Sequence, residues 1–333
     1  MKKLLRILGF LLLFLIIAAA AGLLYFNSAY PVKIAVEDFK LEASPERLAR
    51  GEYLAHHVTG CIDCHSSRNF EFYAGPVVDG TWGKGGELFD EALANVPGKV
   101  YSRNITPAGI GNWTDGEFYR AIVNGIDKNN EALFPIMPYT HFAGLSNEDV
   151  LSIMAYIRTI PSLENKIPQR VLNFPLNFIV KTIPAPATPL ASIPDKSNTL
   201  EYGKYMANAA ACIECHTIAV EGKFLPGMDF AGGFKFTFPN GDISTSANIT
   251  PDNETGIGHW TKEAFIAKFK AYVDSSGNQV MIPTAEHEKN TVMPWTKLGG
   301  ITTEDLGAIY EYLRTIPPVS HKVNTFVKAG GGI

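Results

Sequence analysis

Cysteine is scarce in this chain: four in 333 residues, alongside eight histidines. All four cysteines fall in two short runs, so none is left over for a structural disulfide. Charge of one sign is also lacking, since 29 basic residues stand against 33 acidic ones for a net charge of −4. Setting aside Lys2, Lys3 and Arg6 leaves 26 basic residues, so the body is mildly acidic and nucleic acid is excluded as an expected partner. At 46% hydrophobic and 19% charged residues, the composition is that of a globular protein plus one long apolar run, and the length allows two domains.

The two cysteine runs are Cys61-Ile-Asp-Cys64-His65 and Cys212-Ile-Glu-Cys215-His216. A Cys-x-x-Cys-His run is the c-type haem attachment signal: two thiols on one helical turn reach the two vinyl groups, and the adjacent His supplies an axial ligand to iron. A redox disulfide or a zinc site would suit paired Cys-x-x-Cys runs, but neither needs a His after the second Cys in both copies. The expectation is two covalently bound haem c groups, through Cys61 and Cys64 and through Cys212 and Cys215, with His65 and His216 on the irons.

The apolar run covers residues 7–26, free of charge and preceded by a basic segment. It is long enough to span a bilayer, and the positive flank puts the N-terminus in the cytoplasm and the rest across the membrane. The competing reading is a cleaved signal peptide, with small residues at 18–22. Covalent haem attachment in bacteria also belongs outside the cytoplasmic membrane. The expected layout is anchor or signal peptide 1–26, tether 27–44, domain 45–161, Pro-rich connector 162–198, domain 199–325 and flexible tail 326–333. The connector is expected to lie against the domains as a strap.

The halves repeat each other. Asn104-Ile-Thr-Pro107 returns as Asn248-Ile-Thr-Pro251, and Gly109-Ile-Gly-Asn-Trp113-Thr114 as Gly256-Ile-Gly-His-Trp260-Thr261. Gly51-x-Tyr53 returns as Gly203-x-Tyr205, where a Gly in a helix would allow close crossing of another helix. Ser146-x-x-Asp149 and Thr302-x-x-Asp305 read as matched capping boxes before amphipathic helices that both end in Arg-Thr-Ile-Pro. The spacing lengthens by nine residues before the second methionine pair, as surface loops do.

For the second axial ligand the matched pairs Met137-Pro138 and Met293-Pro294 stand out, with Met281 in the lengthened segment as a substitute for Met293. Met154, Met206 and Met228 read as core or gap fillers. His56, His57, His141, His259, His287 and His321 lack matched partners in the other half and read as surface or supporting residues.

Taken together, Cys-x-x-Cys-His, Asn-Ile-Thr-Pro, Gly-Ile-Gly-x-Trp-Thr, Met137-Pro138-Tyr139 and the Arg-Thr-Ile-Pro ends resemble the multihaem cytochrome c subunits of bacterial membrane-bound alcohol and related dehydrogenases. The resemblance covers about residues 45–161 and 199–317. It implies an all-α fold: two tandem mitochondrial-type cytochrome c domains after one transmembrane helix. It also implies axial pairs His65 with Met137 and His216 with Met293, and haem-lining roles for Asn104, Trp113, Asn248 and Trp260. The implied function is electron transfer from a periplasmic dehydrogenase or other respiratory donor to the respiratory chain, at the bacterial cytoplasmic membrane with the haem domains on the periplasmic side. The alternative is a dihaem enzyme, a peroxidase or a thiosulfate-oxidising cytochrome, in which one haem opens its distal position.

Overall fold

The computed structural model describes residues 1–286 and 289–330; His287 and the last glycines of the tail lie outside the described residues. The apolar N-terminal run forms one helix, α1 (Lys2–Ala29), of 28 residues with none buried. At ~1.5 Å per residue it exceeds the ~30 Å hydrocarbon thickness of a bilayer, so it is long and apolar enough to cross a membrane. The tether after it lies on the first half: Arg120 donates to the Ile34 carbonyl at 3.1 Å, and the Leu41 amide donates to Asp115 at 2.8 Å.

The first half is built on α2 (Pro45–Tyr53), α3 (Asp115–Asn124) and α4 (Asn147–Ile157). Ser44 caps α2 with Pro45 at its first position, and Thr114 with Glu117 closes a complete capping box on α3. The second half repeats the set as α5 (Thr199–Ala209), α6 (Lys262–Lys270) and α7 (Thr303–Leu313). In each half the first helix crosses the last at a glycine. A methyl group on Gly51 would stand 2.6 Å from the Ser152 carbonyl carbon, and one on Gly203 would stand 2.6 Å from that of Ala308. The paired glycines thus bring backbone against backbone, as the repeat predicts.

The purely all-α expectation is wrong. The described residues form three small antiparallel sheets: β1 (Leu88–Asp90), β2 (Gly98–Tyr101) and β3 (Val171–Leu172) in the first, β4 (Ala219–Val220) and β5 (Lys223–Phe224) in the second, β6 (Lys235–Thr237), β7 (Ile243–Thr245) and β8 (Phe326–Val327) in the third. Strands of two to four residues are too short to print a period of two on the sequence, which is why they escaped notice. The first and third sheets are themselves a repeat. Each takes its outer strand from the chain that follows the last helix of its half, β3 pairing with β2 and β8 with β7. The Pro-rich connector is accordingly strapped to the first half. Asn165 holds the Gly85 carbonyl at 3.0 Å, and Leu190 exchanges hydrogen bonds with Leu145 and Asn147 at 2.8 Å.

The halves share one apolar core, which runs from Leu54, Ile62, Ile153 and Met154 to Met206, Leu306 and Ile309 without a break. They also exchange tyrosines. Ser146 and Thr302 do cap α4 and α7, accepting from the amides of Asp149 and Asp305 at 3.1 Å. The return bond of each box, however, is taken by the other half. The Tyr205 hydroxyl accepts from the Ser146 amide at 3.0 Å and donates to Asp149 at 2.6 Å. The Tyr53 hydroxyl accepts from the Thr302 amide at 3.2 Å and donates to Asp305 at 2.6 Å. Arg50 completes the first network with a bidentate pair to Asp149 at 2.8 Å, and Tyr202 completes the second, 2.9 Å from Asp305.

The lengthened stretch before Met293 is a further clasp between the halves, not the plain surface loop the spacing suggests. The Tyr73 amide donates to the Ile282 carbonyl at 2.7 Å, Asn290 bonds Ala74 and Phe70, and Tyr73 stacks on Tyr272 with centroids 5.6 Å apart.

Candidate haem sites

Both cysteine runs form a single helical turn, Cys61–Cys64 and Cys212–His216. Each turn is preceded by a left-handed residue, Gly60 (φ 72°) and Ala211 (φ 51°), which swings the chain out of the opening helix. All four thiols are free. Cys64 and Cys215 are exposed to solvent, yet the mass of protein around every one of the four pushes its thiol upward. Burial takes Cys64 to about 12 and Cys212 and Cys215 to about 11. Such neutral thiols are poor nucleophiles for disulfide exchange. Among the described residues no group of three or more His, Cys, Asp or Glu side chains is placed to hold a metal ion by itself.

The histidines are set by the backbone. His65 Nδ1 lies 2.6 Å from the Arg103 carbonyl and His216 Nδ1 lies 2.7 Å from the Ala247 carbonyl. A carbonyl can only accept, so Nδ1 carries the proton in both and Nε2 is left with its lone pair free. Burial lowers both imidazoles from their ordinary value, which keeps them neutral and able to ligate. A second matched bond fixes the same turn: the amides of Gly85 and Gly232 donate to the carbonyls of His65 and His216 at 2.7 Å. Both glycines have positive φ (69° and 73°), and a methyl on Gly85 would stand 2.6 Å from the Asn104 amide.

This explains the Asn-Ile-Thr repeats. Asn104 and Asn248 follow the two histidine-holding carbonyls and are buried, with Oδ1 accepting from the amide and hydroxyl of Thr106 and of Thr250. Their Nδ2 groups donate to the Leu163 and Val319 carbonyls at 2.7 and 2.8 Å. The asparagines therefore staple the loop that aims the histidine.

In the first half Cys61, Cys64, His65 and Met137 border one cavity of about 820 Å³, with Trp113, Phe118, Ile153 and Arg170 in its wall. Asn104 is not in that wall. The volume is in the ~300–1,000 Å³ range of cofactor sites, and the wall offers paired thiols, a neutral imidazole with a free Nε2 and a thioether sulfur, so these residues fit a covalently bound haem. In the second half Met293 is half-buried against the core while Met281 is 48% exposed, and Trp260 is 37% exposed where its counterpart Trp113 is 9%. His259 and His321 stay outside both donor sets, the latter with Nδ1 at 2.8 Å from the Ala231 carbonyl.

The second half decides the kinship, because residues 200–317 match the cytochrome c family. The chain is a relative of cytochrome c. A cytochrome c domain implies covalently bound haem c. The chain is 26% identical over 298 residues, 85% of its length, to the cytochrome c subunit of a quinone-dependent alcohol dehydrogenase of Gluconobacter oxydans. It is 29% identical over 294 residues, 81% of its length, to the cytochrome subunit of a fructose dehydrogenase of Gluconobacter japonicus. These matches span only 57% and 52% of those relatives. A dihaem c-type cytochrome of Cereibacter sphaeroides is 27% identical over 321 residues, 91% of this chain and 96% of that protein.

Sequence reasoning missed what surrounds the two cysteine turns of this chain. His56 bonds Tyr156 at 2.6 Å, His57 Nδ1 reaches the Lys297 carbonyl at 3.1 Å, and His141 lies between Asn208 and Glu214 at 2.8 and 2.6 Å. Two of these histidines do have counterparts, but of other types: Asn208 stands where His57 does and Lys297 where His141 does. A search for His against His could not find them.

Proposed function

We propose that this chain is a membrane-anchored dihaem c-type cytochrome that carries single electrons between a periplasmic dehydrogenase, or another respiratory donor, and the respiratory chain. The observation that carries the reading is the duplicated attachment turn whose histidine is held through Nδ1 by a backbone carbonyl, with Nε2 left for iron. Haem c supplies a one-electron couple when bound, and methionine ligation with burial favours its reduced form. Cys61 and Cys64 would hold one group, with His65 and Met137 on either face. Cys212 and Cys215 would hold the other, with His216 and Met293. Met137 and Met293 as ligands would leave no place for peroxide or dioxygen, so the residues would serve to hold, bury and space two carriers. Kinship with cytochrome subunits of alcohol and fructose dehydrogenases supports a dehydrogenase as donor, and Lys2, Lys3 and Arg6 before α1 support a cytoplasmic N-terminus.

Pyridine haemochrome stoichiometry with intact mass should give two thioether-bound haems per chain, and the reduced protein should not bind carbon monoxide. One haem would refute the repeat reading, and carbon monoxide binding by the wild type would replace electron carriage with the dihaem-enzyme alternative.

A further inference from the structure

Among the described residues Lys297 is a buried cation without a counter-ion. It is 8% exposed, and its ammonium makes no hydrogen bond or ion pair among the described residues. It lies four residues after Met293, in the turn Trp295–Leu298 of the second half, but its side chain enters the first half. A methyl group on Gly60, the residue before Cys61, would stand 2.6 Å from Lys297 Nζ. Its charge acts on all four attachment thiols, those of Cys61 and Cys64 across the interface and those of Cys212 and Cys215 in its own half.

The same position in the first half, four residues after Met137, is His141. It makes the mirror-image crossing: Asn208 Nδ2 donates to the His141 carbonyl at 3.0 Å, as His57 does to that of Lys297. The His141 ring reaches Glu214, inside the second attachment turn, at 2.6 Å. The exchange is therefore symmetric in place and unequal in charge. At the second turn the basic side chain meets a carboxylate. At the first turn the corresponding carboxylate, Asp63, faces Arg68 at 3.7 Å, so the Lys297 charge stands in excess.

Burying an ammonium without a partner is unfavourable, and an apolar side chain of similar length would fill the space without that penalty. The retained charge calls for another role. We propose that Lys297 is a potential-setting residue that makes the first haem site easier to reduce than the second. A fixed positive charge in a poorly screened region favours whichever state of its neighbour carries the extra electron. The inference rests on the dihaem reading above and adds an order of potentials to it.

The test is a spectroelectrochemical titration of the full-length chain in detergent, with haem content measured on each sample. Lys297→Met should lower the higher of the two potentials by about tenfold in the redox equilibrium, ~59 mV for one electron, and move the lower one less. Lys297→Arg should keep both near wild type. Unmoved potentials, or a larger shift in the lower one, would overturn the role of Lys297 while leaving the dihaem reading intact. A wild type with one haem overturns both. Should Lys297→Met not accumulate with two haems, Glu214→Gln tests the same asymmetry by removing the negative charge at the second turn. It should raise the lower potential and narrow the gap, and an unchanged or wider gap overturns the proposal.

Discussion

Replacing Gly203 by alanine reverses the usual sign of a glycine substitution. In an exposed helix interior, Gly→Ala stabilises by about 1 kcal/mol. At Gly203 the new methyl would stand 2.6 Å from the Ala308 carbonyl carbon and 3.1 Å from Tyr312 Cβ, and the first of these is backbone that no rotamer change can move. An ordinary contact needs ~3.5 Å or more, so α5 and α7 must separate by roughly 1 Å, enough to forfeit a quarter to a half of the dispersion attraction along the seam. Overpacking of this kind costs about 1–3 kcal/mol, and with a rigid obstacle the upper end applies. Set against the helix-propensity gain, the net loss is about 2 kcal/mol, or roughly 4–8 °C in Tm. Gly307, on the partner helix α7, is the internal control. A methyl there meets only Lys262 Cδ at 3.7 Å and Ile266 Cδ1 at 3.9 Å, so Gly307→Ala should stabilise by up to about 1 kcal/mol. Thermal unfolding of the full chain, followed by far-UV circular dichroism and Soret absorbance, reads both. If Gly203→Ala melts at or above wild type, or Gly307→Ala falls with it, the crossing geometry is wrong.

Met293→Ala should abolish the sulfur-to-ferric-iron charge-transfer band of one haem and open it to carbon monoxide, while Met281→Ala, at a 48% exposed position, should change neither; the opposite result would move the second ligand into the lengthened segment. Tyr205→Phe removes a hydroxyl shared by the Ser146 amide and the Asp149 carboxylate, and should destabilise by about 1.5–3 kcal/mol in urea unfolding. A change below about 0.5 kcal/mol would mean that water replaces the hydroxyl freely. Burial works to lower the pKa of His141, but its bonds to Glu214 and Asn208 outweigh that and raise it above 6.5. Its contribution to stability is therefore full below that ordinary value and is lost as pH climbs through the raised one. Wild type should lose more stability than His141→Gln from about pH 6 to about pH 8, and parallel curves would show that the pair contributes nothing.

What could be read from the sequence is what is local. The attachment turns, the caps at Ser44, Thr114, Ser146 and Thr302, and the glycines at 51 and 203 announce themselves because each depends on residues within a turn or two. The strands escaped because they last two to four residues and draw their third member from a segment some seventy positions away, as β3 joins β2. Asp149 and Asp305 misled in the opposite direction. Their spacing from Ser146 and Thr302 fits a self-contained capping box, and nothing local reveals that each carboxylate is turned toward a tyrosine from the other half. Nor does anything local reveal that the Asn104 and Asn248 side chains bond their own loop while the carbonyl one residue earlier reaches the histidine.

The tyrosine exchange has a consequence for how this chain can fold and for what its duplication achieved. The Ncap amide of each final helix is bonded to a tyrosine hydroxyl of the other half, so neither half alone can complete its own helix start. Two tandem copies joined by a connector would ordinarily melt as separate beads, and the second could be lost without harm to the first. Here the capping residues, the shared core around Met154 and Met206, and the clasp at Tyr73 couple the copies into one cooperative unit. Cutting the Pro-rich connector should leave the fragments associated. The separation of the two attachment turns is then a property of the fold, held by buried hydroxyls and carboxylates, and does not depend on the tether between them.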